Sequence, residues 1–400
     1  MAGLSLCLLL ASGLFAWGLV GDDPYVAPPT PTPSASDFSP ARAAAALADL
    51  EEAVSTGDED AARALAPTGD EAAADRLAGI VANAEAARVR DFTLRYVDAE
   101  DGSEGWSGYA DATWRFDGFD PAPAYAEVRF GLEPEGDRVA LTDVGGGDRV
   151  SPLWLSGPVQ VRRSPDTLVL VDGTAEEADS YAARADAAVP VVRRVLPDWQ
   201  QGLVVEVPAS VEALDRTLGA EPGGYDQIAA VTTSADGQLG PAAPVHVFVN
   251  PDVYGGLRDV GAQVVMSHEA AHVATGAFTS SMPLWLLEGF ADYVALRDVD
   301  LPVSESAAQV IEEVRRDGPP RRLPAPAEFG TRTPDLGATY ESAWLATRLL
   351  AADGGEPALV RFYRAVDQGT AVPAALDSSF GLSVSAFTEQ WRALLQDLAG

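Results

Sequence analysis

The sequence predicts an α+β protein in two folded parts, and three observations carry that prediction. From about residue 40 to 88 apolar positions recur at helical spacing. From about 91 to 146 the period changes to two and aromatic residues become frequent. Beyond 160 short apolar strands alternate with helices, and from about 257 helices alone continue to the end. A chain of 400 residues is long for one average domain and comfortable for two, each with its own core.

The N-terminus stands apart. Residues Leu4 to Val20, "LSLCLLLASGLFAWGLV", form the one long apolar run, so residues 1–21 are expected to be a signal peptide or a single membrane anchor. No basic residue precedes Arg42, and no clear small-residue cleavage site follows the run. Either form places the remainder outside the cytoplasm, membrane-anchored or secreted. Residues 22–39 are rich in Pro, Ser and Thr, as a semi-extended linker would be.

Residues 40–150 make the first folded part. "PARAAAALADLEEAV" carries Leu47 and Leu50 one turn apart, and two further Ala-rich segments open with acidic residues, which favour a helix N-terminus. "DFTLRYVDAE", "GWSGYADATWRFDG", "AYAEVRFGLEPEG" and "DRVALTDVGG" then alternate as strands of a twisted antiparallel sheet do. This order of helices followed by strands resembles the NTF2-like cone-shaped domain, which would make the segment a binding or spacing module. The acids of "DAEDGSEG" miss the positions of a calcium loop, so a solvated turn is expected.

Residues 151–400 make the second part. Strands are expected over Leu168 to Val171, Leu203 to Val207, Ile228 to Thr233 and Val245 to Asn250. Helices are expected over Ala175 to Val195, Val211 to Leu218 and Leu257 to Thr275. His246 lies in the apolar strand "PVHVFVN" and is expected to be structural.

Composition narrows the function classes. Twenty-seven basic residues, all arginine, stand against 60 acidic ones, for a net charge of −33. Such a chain is repelled by phosphate backbones, so nucleic acid is not an expected partner. The one cysteine, Cys7, lies in the N-terminal run, which leaves the body with no thiol nucleophile and no cysteine ligand.

The chemistry concentrates in "VVMSHEAAHVATG". His268 and His272 are i and i+4, which on a helix places them about 40° apart around the axis and about 6 Å along it. Two imidazoles so placed can converge on one zinc ion, and Glu269 beside the first can take a proton from a water held there. A third ligand is needed. "SMPLWLLEGFADYVAL" follows, with Gly276 ending the first helix and Ser281 and Pro283 opening the next. There Glu288 and Asp292 are again i and i+4, among Trp285, Leu286, Phe290 and Tyr293. Two acids buried in such company need partners. Zinc would partner Glu288, and the free ring N–H of a ligand histidine would partner Asp292. The alternative is that both acids face solvent.

"HEAAH" followed by "LLEGFADYVA" resembles the gluzincin zinc metallopeptidases, the thermolysin-like fold shared with the M1 aminopeptidases. The resemblance implies an upper lobe of mixed sheet and helices over a mostly helical lower lobe. It implies one Zn2+ per chain held by His268, His272 and Glu288, with Glu269 as general base and Asp292 supporting a ligand histidine. The segment "GATYESAWLATRLLAADGG" resembles the part of these families that brings a tyrosine to the cleft, so Tyr340 would donate to the oxyanion; the alternative is a tyrosine at a helix start. "QIAAVTTS" is the expected edge strand for a peptide or protein substrate. Two other functions stay open, a non-catalytic secreted binding module on this scaffold and a zinc hydrolase of a non-peptide substrate.

Overall fold

The computed structural model describes residues 38–102, 105–240, 242–330 and 333–400. The apolar run at residues 4–20 and most of the linker lie outside them. No helix among the described residues is long and apolar enough to cross a membrane.

Three helices come first among the described residues: α1 (Pro40–Thr56), α2 (Glu59–Arg63) and α3 (Glu71–Ala87). Asp58 and Asp70 cap the second and third, their carboxylates accepting from the N–H groups of Ala61 and Ala73. Strands β1 (Val89–Gly102), β2 (Gly105–Phe116), β3 (Ala124–Glu135) and β4 (Arg138–Val144) follow as an antiparallel meander. The buried positions of β3, Ala124, Ala126, Val128 and Phe130, alternate along the strand and meet Leu47, Leu50, Leu77 and Val81 of the helices in one core. Helix–sheet contact of this kind is what a period-two strand with one apolar face requires.

A short helix α4 (Leu153–Ser156) leads to a second sheet. Its elements are β5 (Gln160–Arg163), β6 (Thr167–Val171), α5 (Ala175–Val195), β7 (Leu203–Val207), α6 (Val211–Leu218), β8 (Ala230–Ser234) and β9 (Val245–Val249). The strand order is β5-β6-β7-β9-β8, with parallel pairing at β6–β7 and β7–β9 and antiparallel pairing at β5–β6 and β8–β9. The sheet is therefore mixed, and β8 is an edge. Both faces of β6 are buried. Leu168 and Leu170 join the core of the first sheet, while Val169 and Val171 face the helices of the second part. Each side of the sheet thus closes a different core, which explains why "TLVLV" is apolar at every other position as well.

The helices after the sheet are α7 (Pro251–Tyr254), α8 (Asp259–Thr275), α9 (Leu284–Leu296), α10 (Val303–Ser306), α11 (Ala308–Asp317), α12 (Leu336–Gly354), α13 (Glu356–Asp367), α14 (Val372–Phe380) and α15 (Val384–Ala399). The helix expected from Leu257 starts at Asp259, because Gly255 and Gly256 follow the separate turn α7. Gly276 ends α8 in the left-handed conformation, with φ 65°. Helix α9 starts at Leu284 behind Pro283, so Ser281 is not its cap. Trp285, Leu286 and Phe290 of α9 bury against α12, α13 and α15; Phe290 stacks on Tyr363 with ring centroids 4.2 Å apart.

Candidate metal centre

Helix α8 lies between α5, the β8–β9 edge of the mixed sheet, and α9. Ala262, Met266, Ala270, Ala271 and Val273 fill those contacts, which leaves one strip of the helix for polar groups. That strip carries His268, Glu269 and His272. The two imidazole rings stand nearly perpendicular, 86°, with centroids 4.6 Å apart.

Helix α9 brings Glu288 and Asp292 to the same place. Glu288 Oε2 lies 3.2 Å from His268 Nε2 and 3.3 Å from His272 Nε2. On the far side of the His268 ring, Nδ1 lies 2.7 Å from Asp292 Oδ1. The Nδ1 nitrogen therefore donates to Asp292, and Nε2 is the nitrogen turned toward the cluster. One donor atom each from His268, His272 and Glu288 lies within 4.8 Å of the others.

The donor set fits zinc on two counts. Two imidazole nitrogens and one carboxylate oxygen are a zinc set, and in a tetrahedron with bonds of about 2.0–2.1 Å the ligand atoms stand about 3.3 Å apart. The separations of 3.2 and 3.3 Å are of that size. The charges point the same way. Glu269, Glu288 and Asp292 surround two imidazoles, so the cluster favours bound positive charge. Burial alone would raise the Glu288 pKa, but His272 and His268 outweigh it and hold the carboxyl well below the usual range. Burial would lower the His268 pKa, and Asp292 outweighs it, raising it well above 6.5. A divalent cation satisfies the same field that otherwise draws protons.

Tyr340 sits on the second turn of α12, its ring centroid 6.3 Å from that of His268 and edge-on to Phe329 at 5.4 Å. Burial first, then Glu288, Asp292 and Glu269, raise its pKa well above 10, so the phenol keeps its proton. A cleft of about 370 Å³ opens beside these groups. His268, Glu269, His272, Glu288 and Tyr340 form its floor, and Ile228 just before β8, Ala230 and Thr232 of β8, and Phe278, Leu284 and Leu287 form its walls. The larger cavity of about 840 Å³ lies elsewhere, between Arg88 and Arg163, and no cluster of metal-ligating groups occurs there among the described residues.

The structure brings together all six sequence-derived residues: His268, Glu269, His272, Glu288, Asp292 and Tyr340. It adds three contacts that no motif announces. The Thr232 hydroxyl donates to Glu269 Oε2 at 2.6 Å. His246, fully buried, lies between Asp120 of the β2–β3 turn, 2.9 Å from its Nε2, and Glu206 of β7, 2.7 Å from its Nδ1. Burial would depress this imidazole, but the two carboxylates outweigh it and raise its pKa from 6.5 to about 10. Three buried charges thus tie the first sheet to the second.

No family model matches the chain, and no curated protein matches it. Solved structures do. One is a two-domain M1 zinc metallopeptidase, a mutant bound to L-arginine. It is 14% identical with a TM-score of 0.34, and the match covers 77% of this chain and 61% of that one. Another is an M1 zinc metallopeptidase mutant from Deinococcus radiodurans bound to a Tyr-Ser-Ala substrate. It is 14% identical with a TM-score of 0.34, and the match covers 66% of this chain and 60% of that one. The chain spans about three-fifths of the length of these structures.

Proposed function

We propose that this protein is an extracytoplasmic zinc-dependent peptidase of the gluzincin type. The observation that carries the proposal is the convergence of His268 Nε2, His272 Nε2 and Glu288 Oε2 at ligand-to-ligand spacing, with the Glu269 carboxylate and the Tyr340 phenol in the same cleft. His268, His272 and Glu288 would hold the metal. Asp292 would fix the His268 tautomer by accepting from Nδ1. Zinc held there would supply Lewis acidity to a water and to the substrate carbonyl.

The remaining chemistry belongs to side chains of this protein. Glu269 takes a proton from the attacking water on a carboxylate oxygen and delivers it to the amine nitrogen that leaves. Tyr340, kept protonated, donates its O–H to the developing oxyanion. The open edge of β8 pairs with the substrate backbone, since an edge strand presents unpaired N–H and C=O groups along the cleft. The helix-and-sheet part over 40–150, NTF2-like by its sequence, positions the catalytic part or binds a partner. The location outside the cytoplasm rests on the apolar sequence from Leu4 to Val20.

A peptide-library digest of the zinc-loaded protein beside its Glu269→Gln variant tests the proposal. The wild type should cut peptides, and the variant should be folded, zinc-loaded and inactive. A variant as active as the wild type contradicts the role of Glu269. A zinc-loaded wild type that cuts only non-peptide substrates contradicts the peptidase assignment, and a metal-free protein that binds peptides uncut makes it a binding module.

A further inference from the structure

Glu269 is 7% exposed, so its carboxylate needs protein partners. Among the described residues its side chain has one hydrogen-bond donor, and it comes from β8. Thr232 Oγ1 lies 2.6 Å from Glu269 Oε2 and 3.2 Å from the Glu269 backbone oxygen. A hydroxyl has one proton to give, and the shorter, charge-assisted contact to the carboxylate takes it. Oε2 is thereby held, and Oε1 has no hydrogen-bond donor among the described residues.

The location of Thr232 gives the contact further meaning. Thr232 is the middle residue of β8, paired with Val247 on the inner side, while the other side of the strand is open. Side chains alternate along the strand. Ala230 and Thr232 turn toward α8, and Val231 packs with Leu214 and Phe248 on the opposite face. The strand that would hold a substrate backbone therefore also holds the general base.

We propose that Thr232 is the positioning residue for Glu269: its hydroxyl locks one carboxylate oxygen so that the other meets the reacting water in the register set by β8. The proposal rests on the peptidase assignment above. A glutamate side chain has three rotatable bonds, and a base free to turn spends most of its time misaligned; a displacement of about 1 Å can lower a rate by about 100-fold. Thr232→Val keeps the shape and removes the donor, whereas Thr232→Ser keeps the donor.

The test uses the full chain loaded with zinc and has two arms. In the first, kcat and KM are measured separately on a peptide that the wild type cuts, beside the zinc content of each variant. Thr232→Val should keep one zinc, keep KM within about twofold and lose about 10- to 100-fold in kcat; Thr232→Ser should retain most of kcat. A Thr232→Val enzyme with wild-type kcat overturns the proposal, as does a loss confined to KM or a Thr232→Ser enzyme equally impaired. The second arm needs no substrate. Thermal unfolding is compared for Thr232→Val, Glu269→Ala and the double variant, and the two shifts should be non-additive because the second change removes a contact already lost. Additive shifts overturn the proposal. A protein that cuts no peptide removes the peptidase assignment alone, and the second arm still decides the Thr232–Glu269 contact. If Thr232→Val fails to fold, Thr232→Ala, which also removes the donor, carries both arms with the same Glu269 partner.

Discussion

Gly289 follows Glu288 in the chain, and the structure gives it a definite task. Helices α9 and α12 cross so closely there that a Cβ at residue 289 would overlap the Ala343 carbonyl group. It would stand 2.7 Å from the carbonyl carbon, where ordinary contact begins at 3.4 Å, and 3.1 Å from Thr347 Cγ2. The Thr347 hydroxyl also donates to the Gly289 carbonyl at 2.6 Å, which seals the crossing. Gly289→Ala must therefore part the helices by at least about 0.7 Å, because the obstacle is backbone and cannot rotate away. A metal ligand tolerates only about ±0.2 Å, so Glu288, one residue away, leaves its position. We expect zinc affinity to fall by about 10- to 100-fold, by analogy with lost ligand support, and stability to fall by about 1–3 kcal/mol from overpacking. Competition with a chromophoric chelator measures the first and urea unfolding the second. Ala343→Gly should not rescue the variant, since the clash is with the carbonyl. A Gly289→Ala protein that binds zinc within about twofold of wild type would show that the crossing admits the Cβ without moving Glu288.

Four further outcomes follow from particular contacts. Asp292→Ala leaves His268 Nδ1 without its acceptor, so zinc affinity should drop by about 10- to 100-fold while Glu269 and Tyr340 stay in place; the same chelator titration checks it. Tyr340→Phe keeps the ring against Phe329 and removes the O–H, so kcat should fall by about 100-fold with little change in KM, read by steady-state peptide hydrolysis. The raised pKa of His246 means that its stabilising contribution is complete below its unfolded value of 6.5 and is lost as pH rises through about 10. Urea midpoints of the wild type should therefore decline across that window more than those of His246→Gln, which has no imidazole to deprotonate. His246→Leu, which leaves Asp120 and Glu206 buried without a counter-charge, should cost about 3–5 kcal/mol in the same unfolding assay.

The fold was most legible where local patterns decide local structure. The change from helical to period-two spacing near residue 90 coincides with the end of α3 and the start of β1, because each element buries one face against the other. Gly276 marks the end of α8, since only glycine adopts φ 65° there without strain. Strand β5 left no mark: "QVRR" is four residues long, and its place is set by pairing with β6. Within the site, the i and i+4 pairs on α8 and α9 are visible because helix geometry fixes their facing. The crossing that brings the two pairs together is not, since it depends on Gly289 against Ala343. Thr232 lies 37 residues from Glu269, and His246 lies 126 from Asp120; no periodic spacing connects groups joined only by tertiary packing. His246 accordingly looked like any lone histidine in an apolar strand, and the buried carboxylates on both sides of it became visible only in the assembled sheets.

The metal content of the purified full-length protein, measured by elemental analysis beside its Glu288→Gln variant, decides whether His268, His272 and Glu288 hold zinc. One equivalent of zinc is expected in the wild type and a large loss in the variant, since Glu288 would be the ligand that joins the two histidines. A wild-type protein that stays metal-free when offered zinc, or a Glu288→Gln protein that holds zinc as tightly as the wild type, would contradict that assignment.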